Sequence, residues 1–391
     1  MNEITELTTK KPPLENASGL GLLVCHDTGA ANAVAALAKS WLKAGTPAST
    51  FCTGPAIKTF EAHGLKPWGQ AAEVIDPQEA AAVLAELEPD FVLTGTSYDA
   101  WTERLFCQEA RKLGVWSVGL VEWWSGFCLR FSTPRTKDLN FVPDLVAVLD
   151  EECRAGCLAE GLPPERLIVT GNPFWDELVR FDPERLEVMG LETRKRLGLG
   201  GRCLIVLVAS TIIRNLDRRL GFDEEDFWAA VSPLPFETSG GRPIKWLVKP
   251  HPQEDPVELN DILARHQVDP LLVDGLSALE ALAAAQVVVG TLSSMLMEAA
   301  LLGRSVFSIQ PGRKPGVFSR LKVFKSINLP VLTDQAGVDW FLDGLIAGRL
   351  DRPDLKRLPW PLTDGNSGQR LLACCSTGGQ HVPKQAQRSS L

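Results

Sequence analysis

The sequence predicts an α/β protein built from two Rossmann-like, doubly wound parallel-sheet domains facing a cleft. Three observations carry this. Short apolar runs alternate with helical stretches through residues 20–170, and the alternation restarts at residue 203. That pattern implies parallel βαβ units. Polar and charged groups fall where several of these runs end, and ligands of open α/β sheets bind beyond the carboxyl ends of strands. At 391 residues the chain is long for one domain and comfortable for two.

In chain order, residues 20–25 read as a strand and 28–44 as a helix ending near Gly45. A strand at 49–52, a helix at 80–87 stopped by Pro89, and a strand at 91–93 follow. Residues 102–113 read as a helix with Gly114 past its end, 115–121 and 144–149 as strands, 150–160 as a helix and 167–170 as a strand. In the second half, 203–209, 244–248, 271–273, 287–289 and 306–309 read as strands, and 223–231, 338–346 and 369–374 as helices. The expected domains are a disordered extension at 1–18, a first Rossmann-like domain at 19–180, a charged helical linker at 181–201, a second Rossmann-like domain at 202–350, a helical return segment at 351–379 and a disordered tail at 380–391.

An apolar fraction of 45% and a charged fraction of 23% are those of an ordinary globular protein with a normal core. A net charge of −8 argues against broad nucleic-acid binding, which needs a basic face. The most apolar stretch, 278–302, is interrupted by Glu280, Gln286, Gly290 and Glu298, so no membrane span is expected, and the polar N-terminus has no apolar signal core. A cytoplasmic location is the expectation. Nine scattered cysteines without zinc spacing read as free buried thiols.

The sharpest signal is Val248-Lys249-Pro250-His251-Pro252 at one strand exit, with Gly290-Thr291-Leu292-Ser293-Ser294 and Glu298 at another. Lys249 supplies a point charge for phosphate and His251 a donor or general acid. Ser293 and Ser294 stand where a helix begins, so they cap it and leave N–H groups for an anion. Glu298, a carboxylate among Met and Ala, needs a partner, either a ribose diol or a core salt bridge. Ser210 and Arg214 follow the first strand of this half and add phosphate contacts. The run Asp223-Glu224-Glu225-Asp226 reads as a solvated helix start, and no metal site or cofactor is expected.

In the first half, His26-Asp27-Thr28-Gly29 leaves the first strand. Asp27 is either a helix cap or, with His26, an acid–base or acceptor-binding group, and Gly29 allows close approach. Thr96 and Ser97 form a hydroxyl-rich strand exit. Glu122 follows another strand as a general-base candidate, with an ion pair to Arg130 as its structural alternative. Trp123 and Trp124 suit sugar stacking or core packing. Thr170-Gly171-Asn172-Pro173 reads as a turn.

The segments 248–252, 290–303 and 170–173 resemble the GT-B superfamily: glycosyltransferases with two Rossmann-like domains, UDP-N-acetylglucosamine 2-epimerases, and CDP-glycerol and polysialic-acid polymerases. The resemblance implies that Glu298 holds ribose, that His251 matches a histidine of the epimerases, and that Glu122 follows a strand placed like the one before their catalytic glutamate. Leu292-Ser293-Ser294 and Met297-Glu298 stand where the epimerases carry Ser-Gly-Gly and paired glutamates. The function it implies is metal-independent transfer of a sugar from a nucleotide-linked donor to an acceptor. The alternatives are an epimerase or hydrolase acting on the nucleotide sugar, and a non-catalytic nucleotide-sugar binder. The expected partners are a nucleotide sugar, an acceptor and possible homodimerisation with a second copy.

Overall fold

The computed structural model describes residues 5–6, 19–73, 75–98, 100–213, 220–314, 324, 328–350 and 363–376. Arg214 and the 380–391 tail lie outside the described residues, as do most of residues 1–18. Thr5–Glu6, inside the extension expected to be disordered, pairs in parallel with Leu65–Lys66 through the backbone. The chain divides into two compact units: the first runs to Glu177 and takes back the C-terminal helix, and the second begins at Leu178.

The first unit holds strands β1 (Gly21–Cys25), β2 (Ala48–Thr53), β3 (Gly69–Ala71), β4 (Phe91–Thr94), β5 (Trp116–Leu120), β6 (Leu145–Val148) and β7 (Leu167–Val169). They form one seven-stranded sheet in the order β3-β2-β1-β4-β5-β6-β7, every pair parallel. Its helices are α1 (Thr28–Lys43), α2 (Pro55–Ala62), α3 (Pro77–Leu87), α4 (Thr102–Leu113), α5 (Phe127–Arg130) and α6 (Glu151–Ala159), with α7 (Pro173–Val179) at the boundary. The period-two rule sorts the core. Leu23 and Cys25 of β1 pack with Ala33, Val34 and Leu37 of α1, whereas Leu22 and Val24 pack with Leu84 and Phe106 of α3 and α4. Both faces are covered, as a parallel sheet requires.

The second unit opens with α8 (Pro183–Arg196), which lies within the stretch expected as a linker. Gly190 lets α8 lie against the helix at Ala278–Ala284, because a Cβ there would stand 2.3 Å from the Ala283 carbonyl oxygen. Arg194 Nε donates to the Ala284 carbonyl at 2.8 Å. The strands are β8 (Leu204–Ala209), β9 (Ile244–Lys249), β10 (Leu271–Leu272), β11 (Val287–Gly290), β12 (Ser305–Ile309) and β13 (Val331–Leu332), in the order β10-β9-β8-β11-β12-β13, all parallel. Its other helices are α9 (Glu224–Val231), α10 (Pro256–Arg265), α11 (Ala278–Ala284), α12 (Ser294–Leu301) and α13 (Gln335–Ile346). Phe227, Trp228, Ile262, Leu263 and Phe341 pack on Val206, Val208 and Val248. The acidic run at 223–226 starts α9 as a capping box between Asp223 and Asp226.

Helix α14 (Ser367–Ser376) belongs to the first unit. Asp176 accepts the Gly365 and Ser367 N–H groups at 2.9 Å each, and Leu371, Cys374 and Cys375 enter the core beside α1. All nine cysteines are free and buried. No helix of the described residues is long and apolar enough to cross a membrane.

Candidate functional site

In each sheet the strand order reverses at the first strand, between β1 and β4 and between β8 and β11. A crevice opens beyond the strand ends at such a switch point, because successive connections leave to opposite faces. The sequence candidates gather at these two edges.

At the first unit's edge, His26 follows β1. Its ring Nδ1 lies 2.8 Å from Thr53 Oγ1, which lies 3.0 Å from Thr102 Oγ1. Thr102 is fully buried, and among the described residues its hydroxyl meets Thr53 alone. Its proton therefore goes to Thr53, the Thr53 proton goes to Nδ1, and the imidazole carries its own hydrogen on Nε2. Burial lowers the His26 pKa, against an opposing pull from Asp27. His26 is thus a neutral Nε2–H donor at pH 7.

Asp27 occupies the N-cap position of α1, yet its side chain makes no cap hydrogen bond. It has no other hydrogen-bond or ion-pair partner among the described residues, so a half-buried free carboxylate stands at a helix start. Glu122 differs. Arg130 Nη1 donates to its Oε1 at 2.7 Å and Thr96 Oγ1 to its Oε2 at 3.2 Å. The ion pair is nearly enclosed, with side-chain exposures of 5% for Arg130 and 12% for Glu122. A Cβ on Gly29 would stand 3.3 Å from Glu122 Cγ. The two tryptophans divide. Trp124 is core, donating Nε1 to Asp150 at 3.0 Å and stacking on Trp175, while Trp123 is half-buried and edge-on to Trp124.

Glu103, which the sequence reading passes over, lies at the centre of this edge. Its Oε1 accepts the His26 N–H at 3.0 Å and the Ser97 hydroxyl at 2.6 Å. Burial pushes its pKa up to about 7, with Ser97 opposing. The available signal was its spacing: Glu103 falls at helical spacing from Phe106, Cys107 and Ala110, all buried, so an acid sits on an apolar stripe.

At the second unit's edge, Ala209 pairs with both Lys249 and Gly290, so the exits of β9, β8 and β11 are level. Lys249 Nζ donates to the Asp274 carbonyl at 2.9 Å, and burial lowers its pKa. His251 Nδ1 accepts the Gln253 N–H at 3.3 Å, which leaves the imidazole hydrogen on Nε2, and burial lowers its pKa as well. Glu254 ties two exits together, accepting the Ser210 hydroxyl at 2.8 Å and the His251 N–H at 2.9 Å. Ser293 caps α12 by accepting the Met295 N–H at 3.3 Å. The Ser294 hydroxyl is held by Glu298, whose pKa burial raises to about 7. Glu298 is thus buried with a serine partner four residues earlier. Thr291 Oγ1, 5% exposed as a residue, has no partner among the described residues, and it lines a small cavity with Ser210, Thr211, Glu224 and Trp228. Among the described residues no group of three or more His, Cys, Asp or Glu side chains is placed to hold a metal ion.

No family model matches the sequence, and no curated protein matches it. Solved structures do. UDP-GlcNAc 2-epimerase from Neisseria meningitidis, bound to UDP-GlcNAc, superposes with a TM-score of 0.64 at 14% identity, covering 91% of this chain and 99% of that one. UDP-GlcNAc 2-epimerase from Methanocaldococcus jannaschii gives 0.63 at 13% identity, covering 90% and 98%. Anabaena Alr3699/HepE in complex with UDP-glucose gives 0.61 at 13% identity, covering 91% and 98%. The chain has the GT-B fold. The likeness extends over both units, and at this identity it establishes architecture.

Proposed function

We propose that this protein is a nucleotide-sugar-converting enzyme, and that it epimerises the sugar of a UDP-linked N-acetylhexosamine. The observation that carries the reading is the unpaired Asp27 carboxylate beside the Nε2–H donor His26 at the first unit's switch point. Inverting a carbon needs one group to remove a proton and another to return it. The likeness to two UDP-GlcNAc 2-epimerases over nine-tenths of the chain supports the substrate class.

The C2 hydrogen of such a sugar has no adjacent carbonyl to acidify it. Its removal is therefore coupled to departure of UDP from C1. The C–H electron pair becomes the C1–C2 double bond, and the C1–O bond breaks with its pair onto the diphosphate. Re-addition of UDP at C1 and of a proton to the other face of C2 completes the inversion. The sequence is redox-neutral and calls for no cofactor. In the second unit, Lys249, the His251 Nε2–H and the Ser294 N–H at the start of α12 stabilise the charge on the departing diphosphate. In the first unit, Asp27 takes the proton and His26 donates.

Sugar transfer to an acceptor is the second reading. The same diphosphate groups serve it, and the similarity to Anabaena HepE, whose complexes hold UDP-glucose or UDP and glucose, favours it. One experiment separates the two. The protein is incubated with UDP-GlcNAc alone in D2O and followed by 1H NMR. Epimerisation gives the 2-epimer with deuterium at C2. Transfer leaves the C2 hydrogen in place and releases UDP only when an acceptor is added. An unchanged spectrum, with no rise in Tm on adding UDP, would overturn both.

A further inference from the structure

We propose that Glu103 is the positioning residue of the first unit: by gathering the His26 peptide N–H and the Ser97 hydroxyl on one carboxylate oxygen, it locks the two loops of the switch point in the arrangement that leaves Asp27 free. The proposal deepens the reading of Asp27 and His26 as the proton-transfer groups, and rests on it.

The geometry is unusual for a helix-start glutamate. Glu103 is 3% exposed, and its side chain reaches between β1 and β4 instead of toward solvent. Both bonds, at 3.0 and 2.6 Å, fall on Oε1, while Oε2 is buried without a partner among the described residues. Gly95 makes room for it, since a Cβ there would stand 3.2 Å from Glu103 Oε1 and 2.5 Å from Ala30 Cβ. Among the described residues no cation pairs with the carboxylate. The titratable groups around it are Asp27 and His26 on the loop after β1, Cys25 at the end of β1, and Cys107 one turn along α4. Two loops from different strands therefore take their relative position from one acid. The ionised form holds both donors more tightly than the neutral form, because a charged acceptor strengthens each bond. Burial places that ionisation near pH 7.

The test is Glu103→Gln and Glu103→Ala in the full chain, with UDP-GlcNAc turnover measured from pH 5.5 to 8.5 and 1H–15N spectra of the five histidines. Glu103→Gln keeps an acceptor oxygen, so it should retain kcat at pH 7 within about three-fold and lose the inflection near pH 7. Glu103→Ala should lower kcat by about ten-fold or more, move KM by less than about two-fold, and shift the His26 ring signals while leaving those of His63 in place. If the alanine variant does not fold, Ser97→Ala, which removes one of the two bonds, replaces it with the same expectations. An inflection kept in Glu103→Gln, or a wild-type kcat with unshifted His26 signals in the alanine variants, overturns the proposal. Absence of turnover in the wild-type protein sinks the epimerase reading instead, and the His26 spectra then decide Glu103 alone.

Discussion

Asp27 and Glu122 are both carboxylates at strand exits of the first unit, yet they face opposite situations. Glu122 holds a nearly enclosed Arg130, and its removal leaves that cation without a counter-charge. We expect Glu122→Gln to lower stability by about 2 kcal/mol, read as a fall in Tm of several degrees, together with any loss of turnover. Asp27 makes no side-chain cap bond and has no side-chain partner among the described residues. Asp27→Asn should therefore leave Tm unchanged within about 0.5 kcal/mol and cut turnover by about 10²-fold or more. Equal losses of Tm in the two variants would show that Asp27 is structural after all. In the second unit, His251→Ala removes an Nε2–H donor and should cost about 10²-fold in turnover.

At the scale of elements, α8 and α14 show how each unit closes on pieces distant in sequence. Gly190 lies against the Ala283 carbonyl, a rigid backbone atom that cannot yield to a methyl group. Gly190→Ala should push α8 from α11 and cost about 1–3 kcal/mol, measured by urea unfolding. Leu371 of α14 is fully buried beside α1. Leu371→Ala should cost about 2–5 kcal/mol by the same measurement, through lost burial and the cavity left behind. A smaller effect in either variant means that the helix is held by its polar contacts, such as the bond from Trp116 Nε1 to the Cys374 carbonyl at 3.0 Å.

Over the whole molecule, buried titratable groups pull stability in two directions with pH. His63, edge-on to Phe174 and bonded to Asn32 Oδ1 at 2.9 Å, has its pKa lowered to about 4 by burial. A depressed basic pKa means that the unfolded chain binds the proton first, so this contribution is present above pH 6.5 and lost as pH falls toward 4. Glu103 and Glu298, raised to about 7, have the opposite sign. Their contribution is present below about pH 4.5 and is lost as pH rises to about 7. Each amounts to about 3 kcal/mol at its full shift. Glu298→Gln should therefore raise Tm at pH 8 relative to wild type and do so much less at pH 5. An equal shift at both pH values would show that Glu298 is not a buried acid.

Much of this was legible from the chain alone. Apolar runs broken by turns located most strands within a residue or two, because a buried parallel strand must be apolar on both faces. The placement of Lys249, His251, Ser293, Asp27 and Glu122 at strand exits followed from the same pattern, and so did the two alternatives for Glu122, free or paired with Arg130. Sequence could not show which carboxylate is paired, that Glu298 and Ser294 satisfy each other, or that Glu103 ties His26 to Ser97. Nor could it show that α8 packs on α11, a contact 90 residues away in the Arg194–Ala284 bond. Local sequence sets hydrophobic period and turn chemistry. Hydrogen-bond partners, tautomers and shifted pKa values arise only where folding brings remote groups together out of water, and that juxtaposition turned a helix-start glutamate into the residue on which the first unit's edge is organised.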